Sequence, residues 1–176
     1  HHYYDESIFA KEVECIFKEE WLWVARSEQL SKQGDFITTD VAQFPIVLVR
    51  AKDNILRAFH NICRHRASKV ELRKSGNCKQ LVCPYHGARF SSQGSCTNLD
   101  RITCQHIIDS NYDNYAKSIK LLQYPCVEKE GYIYIYYTGT PQTNIEDFEI
   151  KSSLNGLLPD SYGFPSLEYQ YEEVYV

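Results

Sequence analysis

Between Ser7 and Val24 the apolar residues Ile8, Phe9, Val13, Ile16, Phe17, Trp21 and Val24 recur at spacings of mainly three and four, with Glu and Lys between them. A 3.6-residue repeat gathers such positions on one face, so an amphipathic helix is expected here, with Asp5 or Ser7 as its cap. Past the turn signal Gln33-Gly34-Asp35 the pattern changes to short β-rich runs: Phe36 to Thr39, Ile46 to Arg50, and Ile55 to Asn61. Asp53-Asn54 tolerates turn geometry and predicts a hairpin between the last two runs. Leu121 to Glu128 and Tyr132 to Thr138 flank Lys129-Glu130-Gly131, a second expected hairpin. Beyond Thr138-Gly139-Thr140-Pro141, a stretch rich in Asn, Ser, Gly and Pro reads as a linker, and Leu167 to Val176 reads as one more alternating strand.

Composition strengthens the sheet reading. The 14 Tyr and 8 Phe pack well on pleated surfaces, so an all-β fold led by one helix is expected for these 176 residues. A net charge of −4 gives no basic field for nucleic acid or anionic lipid, so neither is expected as a partner. Apolar runs such as Phe44 to Val49 fall far short of the roughly 20 residues that span a bilayer, and no basic-then-apolar leader opens the chain. Without any Met, and with His1 and His2 tag-like, the chain is expected to be a processed or trimmed piece that continues past Val176. Seven Cys is an odd number for a disulfide scaffold.

Two of those Cys are explained better by metal. Cys63-Arg64-His65 is followed, after 17 residues, by Cys83-Pro84-Tyr85-His86-Gly87. One Cys and one His on each of two nearby loops can grip two irons, thiolates on one and neutral imidazoles on the other. Donor type alone also fits a tetrahedral Cys₂His₂ zinc site, and two packed thiols with two satisfied histidines is the plainest alternative. The spacing favours iron and sulfide, because zinc sites usually pair Cys with Cys and His with His, and a one-residue gap is short for a zinc knuckle. His60 and His106 are expected to be satisfied or surface histidines, and Cys15, Cys78, Cys96, Cys104 and Cys126 packed or solvated thiols.

The run Asn61 to Ala67 together with Cys83 to Gly87 resembles the amino-terminal Rieske domain of the large subunit of Rieske non-haem iron oxygenases, the ring-hydroxylating and choline-monooxygenase-like enzymes. Ile16-Phe17, Trp21, Gly34-Asp35-Phe36, Pro45 to Arg50 and Gly131 to Tyr134 extend the resemblance over about residues 3 to 140. It implies an all-β Rieske fold of small antiparallel sheets, with a [2Fe–2S] cluster on two loops. Cys63 and Cys83 would ligate one iron, His65 and His86 the other, and backbone N–H groups of Arg66, Ala67, Ser68, Tyr85 and Ala88 would face the sulfides. Cytochrome bc-type relatives carry a bracing disulfide where this chain has Ser68 and Tyr85, and a sulfide-bonding Ser where it has Ala88. Fewer hydrogen bonds to sulfur imply a potential near the low end of the Rieske range, about −150 mV. Oxygenases usually place Trp at the Ala88 position, and Gly87-Ala88-Arg89-Phe90 is closer to Rieske ferredoxins.

The resemblance implies three parts: a helical arm over 1–33, the cluster domain over 34–140, and over 141–176 a linker with the first strand of a missing catalytic domain. No close His pair with a carboxylate follows the cluster motif, so the mononuclear Fe(II) site of an oxygenase is expected only in that missing domain. The expected role is one-electron transfer from a reductase or ferredoxin to that iron, in the same or a neighbouring subunit of a homotrimer. A stand-alone ferredoxin-like carrier is the alternative. The cytoplasm, or an organelle matrix after removal of a transit peptide, is the expected location.

Overall fold

The computed structural model describes residues 5–99 and 118–137. The linker, the strand expected at Leu167 to Val176, Cys104 and His106 lie outside the described residues.

The amino-terminal helix is much shorter than its periodicity predicts. Helix α1 covers Glu6–Glu12, capped by Asp5, whose Oδ1 accepts from the Ser7 N–H at 2.9 Å and hydroxyl at 2.6 Å. A π-helical turn, Val13–Phe17, follows, and Trp21–Arg26 is strand β1. Trp21 and Val24 fit a helical face by spacing alone, but Trp21 pairs with Tyr136 across a sheet and Val24 falls at an irregularity of the same strand pair, where tertiary pairing overrides local pattern.

The remaining strands are β2 (Asp35–Val41), β3 (Phe44–Arg50), β4 (Leu56–His60), β5 (Ser75–Asn77), β6 (Leu81–Val82), β7 (Arg89–Phe90), β8 (Cys96–Asn98), β9 (Gln123–Tyr124), β10 (Cys126–Lys129) and β11 (Tyr132–Tyr136). They form three antiparallel sheets, ordered β1-β11-β10, β5-β2-β3-β4-β9 and β6-β7-β8. The expected all-β fold of small antiparallel sheets with a leading helix is what forms.

Strand β3 lies at the centre and explains why its sequence is continuously apolar. Val47 and Val49 pack with Phe36, Phe59, Leu81 and Phe90 on one side, while Ile46 and Leu48 pack with Ala58, Ile133 and Ile135 on the other. Both faces are covered, so alternation with polar residues is lost. The first of these clusters includes Cys63 and Cys83.

Arg50, at the end of β3, is buried and forks onto Glu128 of β10, with Nη1 at 2.8 Å and Nη2 at 3.1 Å, while its Nε donates to the Leu30 carbonyl at 2.7 Å. Two of the hairpins follow their turn signals: Asn54 adopts φ +63°, and Glu130 and Gly131 adopt +52° and +82°. The β2–β3 hairpin carries no such signal, yet Ala42 and Gln43 hold φ of +47° and +74°.

Candidate metal centre

Both Cys-His motifs fall on tight turns. In the first, the Cys63 N–H donates to the Ser68 carbonyl at 2.7 Å and the Ala67 N–H to the Cys63 carbonyl at 3.0 Å. In the second, the Cys83 N–H donates to the Ala88 carbonyl at 2.9 Å and the Gly87 N–H to the Cys83 carbonyl at 3.0 Å. The residue before each closing carbonyl is left-handed, Ala67 at +54° and Gly87 at +70°. The same turn is therefore built twice, and only the histidines break the likeness: His65 is two residues past its Cys and His86 three.

The donors separate by depth. Cys63 and Cys83 are 3% and 2% exposed, and their thiols are within hydrogen-bonding contact of each other. Burial, with the Cys83 thiol beside it, pushes the Cys63 thiol up, while the N–H groups of His65 and Arg66 oppose that shift. His65 and His86 are half-buried, their rings edge to face with centroids 5.0 Å apart. Among the described residues no three His, Cys, Asp or Glu side chains converge on one ion. A buried thiol pair beside an imidazole pair fits a binuclear centre bound through two different donor types.

The surroundings show what the motif alone does not. The Tyr85 ring lies 3.9 Å from that of His86, and Tyr85 is 58% exposed, so one face of His86 is covered. The Ser68 hydroxyl donates to the Lys69 carbonyl at 3.4 Å, and neither Ser68 nor Tyr85 can form a disulfide. Ala88 is fully buried beneath the second turn. Arg64 and Arg66 are exposed and, with His60, His65 and Leu122, line a cavity of about 380 Å³ beside the first turn.

His60 is a satisfied histidine. Its Nδ1 is 2.7 Å from the Tyr124 hydroxyl, and burial, then the nearby Arg64 charge, lower its pKa. Cys96 and Cys126 are packed thiols and Cys15 is an exposed one. Asn61 is not singled out by the sequence except as part of a run. It is 1% exposed and both ends of its side-chain amide bond the backbone of Glu71. No local signal marks it, because its partner lies ten residues on and only burial of the two together gives the amide its role.

Comparison with known proteins is consistent with this geometry. A family model described as "Rieske [2Fe-2S] domain" matches residues 20–122. The carnitine monooxygenase oxygenase subunit of Escherichia coli K12 is 32% identical over 146 residues, covering 82% of this chain and 37% of that protein. The benzene 1,2-dioxygenase subunit alpha of Pseudomonas putida is 37% identical over 97 residues, 55% of this chain and 22% of that one. A solved quaternary ammonium Rieske monooxygenase, described for carnitine oxidation by gut microbiota and inter-subunit electron transfer, superposes with a TM-score of 0.67 at 32% identity, over 80% of this chain and 37% of its own. The chain thus spans well under half the length of these relatives.

Proposed function

The chain belongs to the Rieske [2Fe–2S] domain family, and from that premise we propose that Cys63 and Cys83 hold one iron of its cluster, that His65 and His86 hold the other, and that it delivers single electrons to an oxygenase's mononuclear iron. A Rieske domain of oxygenase type serves electron transfer. The donor, a reductase or ferredoxin, and the acceptor, Fe(II) in a catalytic domain of the same or a neighbouring subunit, are the finer part of the proposal. The observation that carries it is the twice-built turn, which sets two buried thiols against each other and two imidazoles at the rim.

The bound cluster supplies a reversible one-electron carrier, whose mixed ligation raises its potential above that of all-Cys clusters. Cys63 and Cys83 hold their sulfurs away from water inside the apolar core. Backbone N–H groups of His65 and Arg66 point at the Cys63 sulfur and favour its thiolate. The N–H groups of Ser68, Tyr85 and Ala88 belong to the same two turns and complete the proposed binding set, whereas that of Ala67, expected to face the sulfides, donates instead to the Cys63 carbonyl. His65 and His86, at the rim, are the shortest route outward, and their remaining ring N–H groups suit a carboxylate acceptor. Arg64 and Arg66 flank that exit with positive charge.

The three-part division, with an arm over 1–33, the cluster domain over 34–140 and a lead into a catalytic domain over 141–176, belongs to this proposal, as do a homotrimeric full-length form and a cytoplasmic or organelle-matrix location. Among the described residues no helix is long and apolar enough to cross a membrane. A stand-alone carrier is the second reading, favoured by the small, buried Ala88 where oxygenases usually carry Trp.

Replacing His65 or His86 by Cys tests the ligand set. A thiolate adds negative charge, so the midpoint potential falls; an unchanged potential contradicts the assignment. Supplying a catalytic domain in the same polypeptide decides between the readings. Substrate-dependent reoxidation of the cluster supports the oxygenase role, and its absence in a reducible, intact protein supports the carrier.

A further inference from the structure

The two ligand turns are alike, but what they stand on differs. The second is mounted on a β ladder: Leu81 faces Phe90 and Val82 faces Arg89 immediately outside Cys83 and Ala88. The first has no strand pair beneath it. β4 ends at His60, the next strand begins at Ser75, and only an isolated bridge, Ile62 to Lys69, joins the two sides.

Asn61 fills that gap. Its side-chain Nδ2 donates to the Glu71 carbonyl at 2.8 Å and its Oδ1 accepts from the Glu71 N–H at 2.9 Å. That is the two-bond exchange one residue of a sheet makes with its partner, here with a side chain replacing one backbone. Its own backbone is also occupied, the N–H donating to the Pro45 carbonyl at 2.8 Å and the C=O accepting from the Val70 N–H at 3.3 Å. Beyond the clamp, the buried Glu71 carboxylate accepts from Arg73 through Nε at 2.9 Å and Nη2 at 2.7 Å. The Arg73 guanidinium lies 4.7 Å over the Phe36 ring of β2, and the Thr38 hydroxyl donates to the Arg73 carbonyl at 2.8 Å. The far end of the first turn is thus tied to the central sheet.

We propose that Asn61 is a positioning residue that clamps the first ligand turn shut, standing in for the ladder that supports the second and holding Cys63 and His65 in register with Cys83 and His86. The inference deepens the ligand reading above and rests on it. A mere core residue would lower stability when changed; a clamp also sets the geometry and retention of whatever the turn holds.

The test uses the cluster-loaded protein with Asn61→Ala, Asn61→Asp and, as a core control remote from both turns, Leu30→Ala. Asn61→Asp retains the acceptor for the Glu71 N–H but loses the donor to its carbonyl. Both Asn61 variants should release iron to a chelator about 10- to 100-fold faster than the unmodified protein, the size of the effect that loss of an outer-shell partner has on metal affinity elsewhere. Both should also shift the electron paramagnetic resonance g-values and the midpoint potential. Leu30→Ala, compared at an equal loss of Tm, should leave g-values and potential in place. Equal iron release and unmoved g-values in the Asn61 variants would overturn the clamp.

If the variants do not fold, hydrogen exchange in the unmodified protein decides the matter. The Glu71 amide should be protected like the Phe90 amide of β7; exchange as fast as that of Arg64 would overturn the proposal. The exchange measurement needs no cluster, so an unmodified protein lacking the Rieske signal would count against the ligand assignment and leave the clamp to be decided by exchange alone.

Discussion

Among the described residues, cysteines of one chemical type are given different properties by position. Cys126 is half-buried beside Glu128, and burial pushes its thiol up to about 12, so it stays protonated throughout the neutral range. Cys15 is exposed. Iodoacetamide at neutral pH should therefore alkylate Cys15 and spare Cys126 in the folded protein, as read by peptide mass spectrometry; equal labelling would contradict the packing of β10. The two turns allow a sharper comparison. A Cβ at Gly87 meets nothing within 4 Å, and its counterpart Ala67 already carries one at φ +54°. Gly87→Ala should thus cost only about 1 kcal/mol, the left-handed penalty less a smaller gain from the stiffer unfolded chain. Denaturant titration checks this, and a loss of several kcal/mol would mean the second turn is closed more tightly than described. The proposed metal donors could be picked out in the chain because Cys and His paired at short spacing on two neighbouring loops point to metal binding before any other chemistry. Asn61 was not, since an Asn is informative only once its partner, ten residues on, is known to be buried with it.

At the scale of elements, strands with two covered faces or clear turn residues were legible, and those defined by distant partners were not. The runs at Phe36 to Thr39 and Ile46 to Arg50 fall inside β2 and β3. Leu121 to Glu128 divides at Pro125 into β9 and β10, because Pro125 lacks a ladder donor; the two strands then join different sheets. The helix over-ran because Trp21 and Val24 keep a helical spacing by coincidence while β1 is held by β11. The β2–β3 turn was invisible because Ala42 and Gln43 are poor residues for positive φ. That makes it an improvable site. Replacing the pair with Asn-Gly (A42N/Q43G) should stabilise the protein by about 1–2 kcal/mol, since each left-handed non-Gly residue carries roughly 1 kcal/mol of strain. A rise in denaturation midpoint with unchanged m-value is the expected result; no rise would show that the turn is not strained.

Across the whole molecule, the five-stranded sheet is shared by two cores, one reaching the ligand turns and one reaching the β1-β11-β10 sheet. Arg50 and Glu128 stitch the second junction. The Arg50 guanidinium, first by hydrogen bonding, holds the Glu128 carboxyl below its usual 4.5. A carboxyl lowered in the folded state contributes stability above its unfolded pKa, and that contribution is lost as pH falls through the folded value. Unfolding free energy should therefore decline below about pH 4.5, and Glu128→Gln, less stable at neutral pH, should show a weaker decline. An identical acid profile for both proteins would place the linkage elsewhere; Glu71, lowered by Arg73, and Asp53, lowered to about 2 by its hydrogen bonds to Arg57, are other candidates.

The central claim is that two cysteines and two histidines on a twice-built turn hold a [2Fe–2S] cluster. Electron–nuclear double resonance of the dithionite-reduced protein, grown with ¹⁵N-histidine, addresses it most directly. Two directly bonded histidine nitrogens are predicted, with one lost in His65→Cys and the other in His86→Cys. A reduced sample with no histidine nitrogen coupling, or a resonance-silent protein that contains zinc, would contradict the claim.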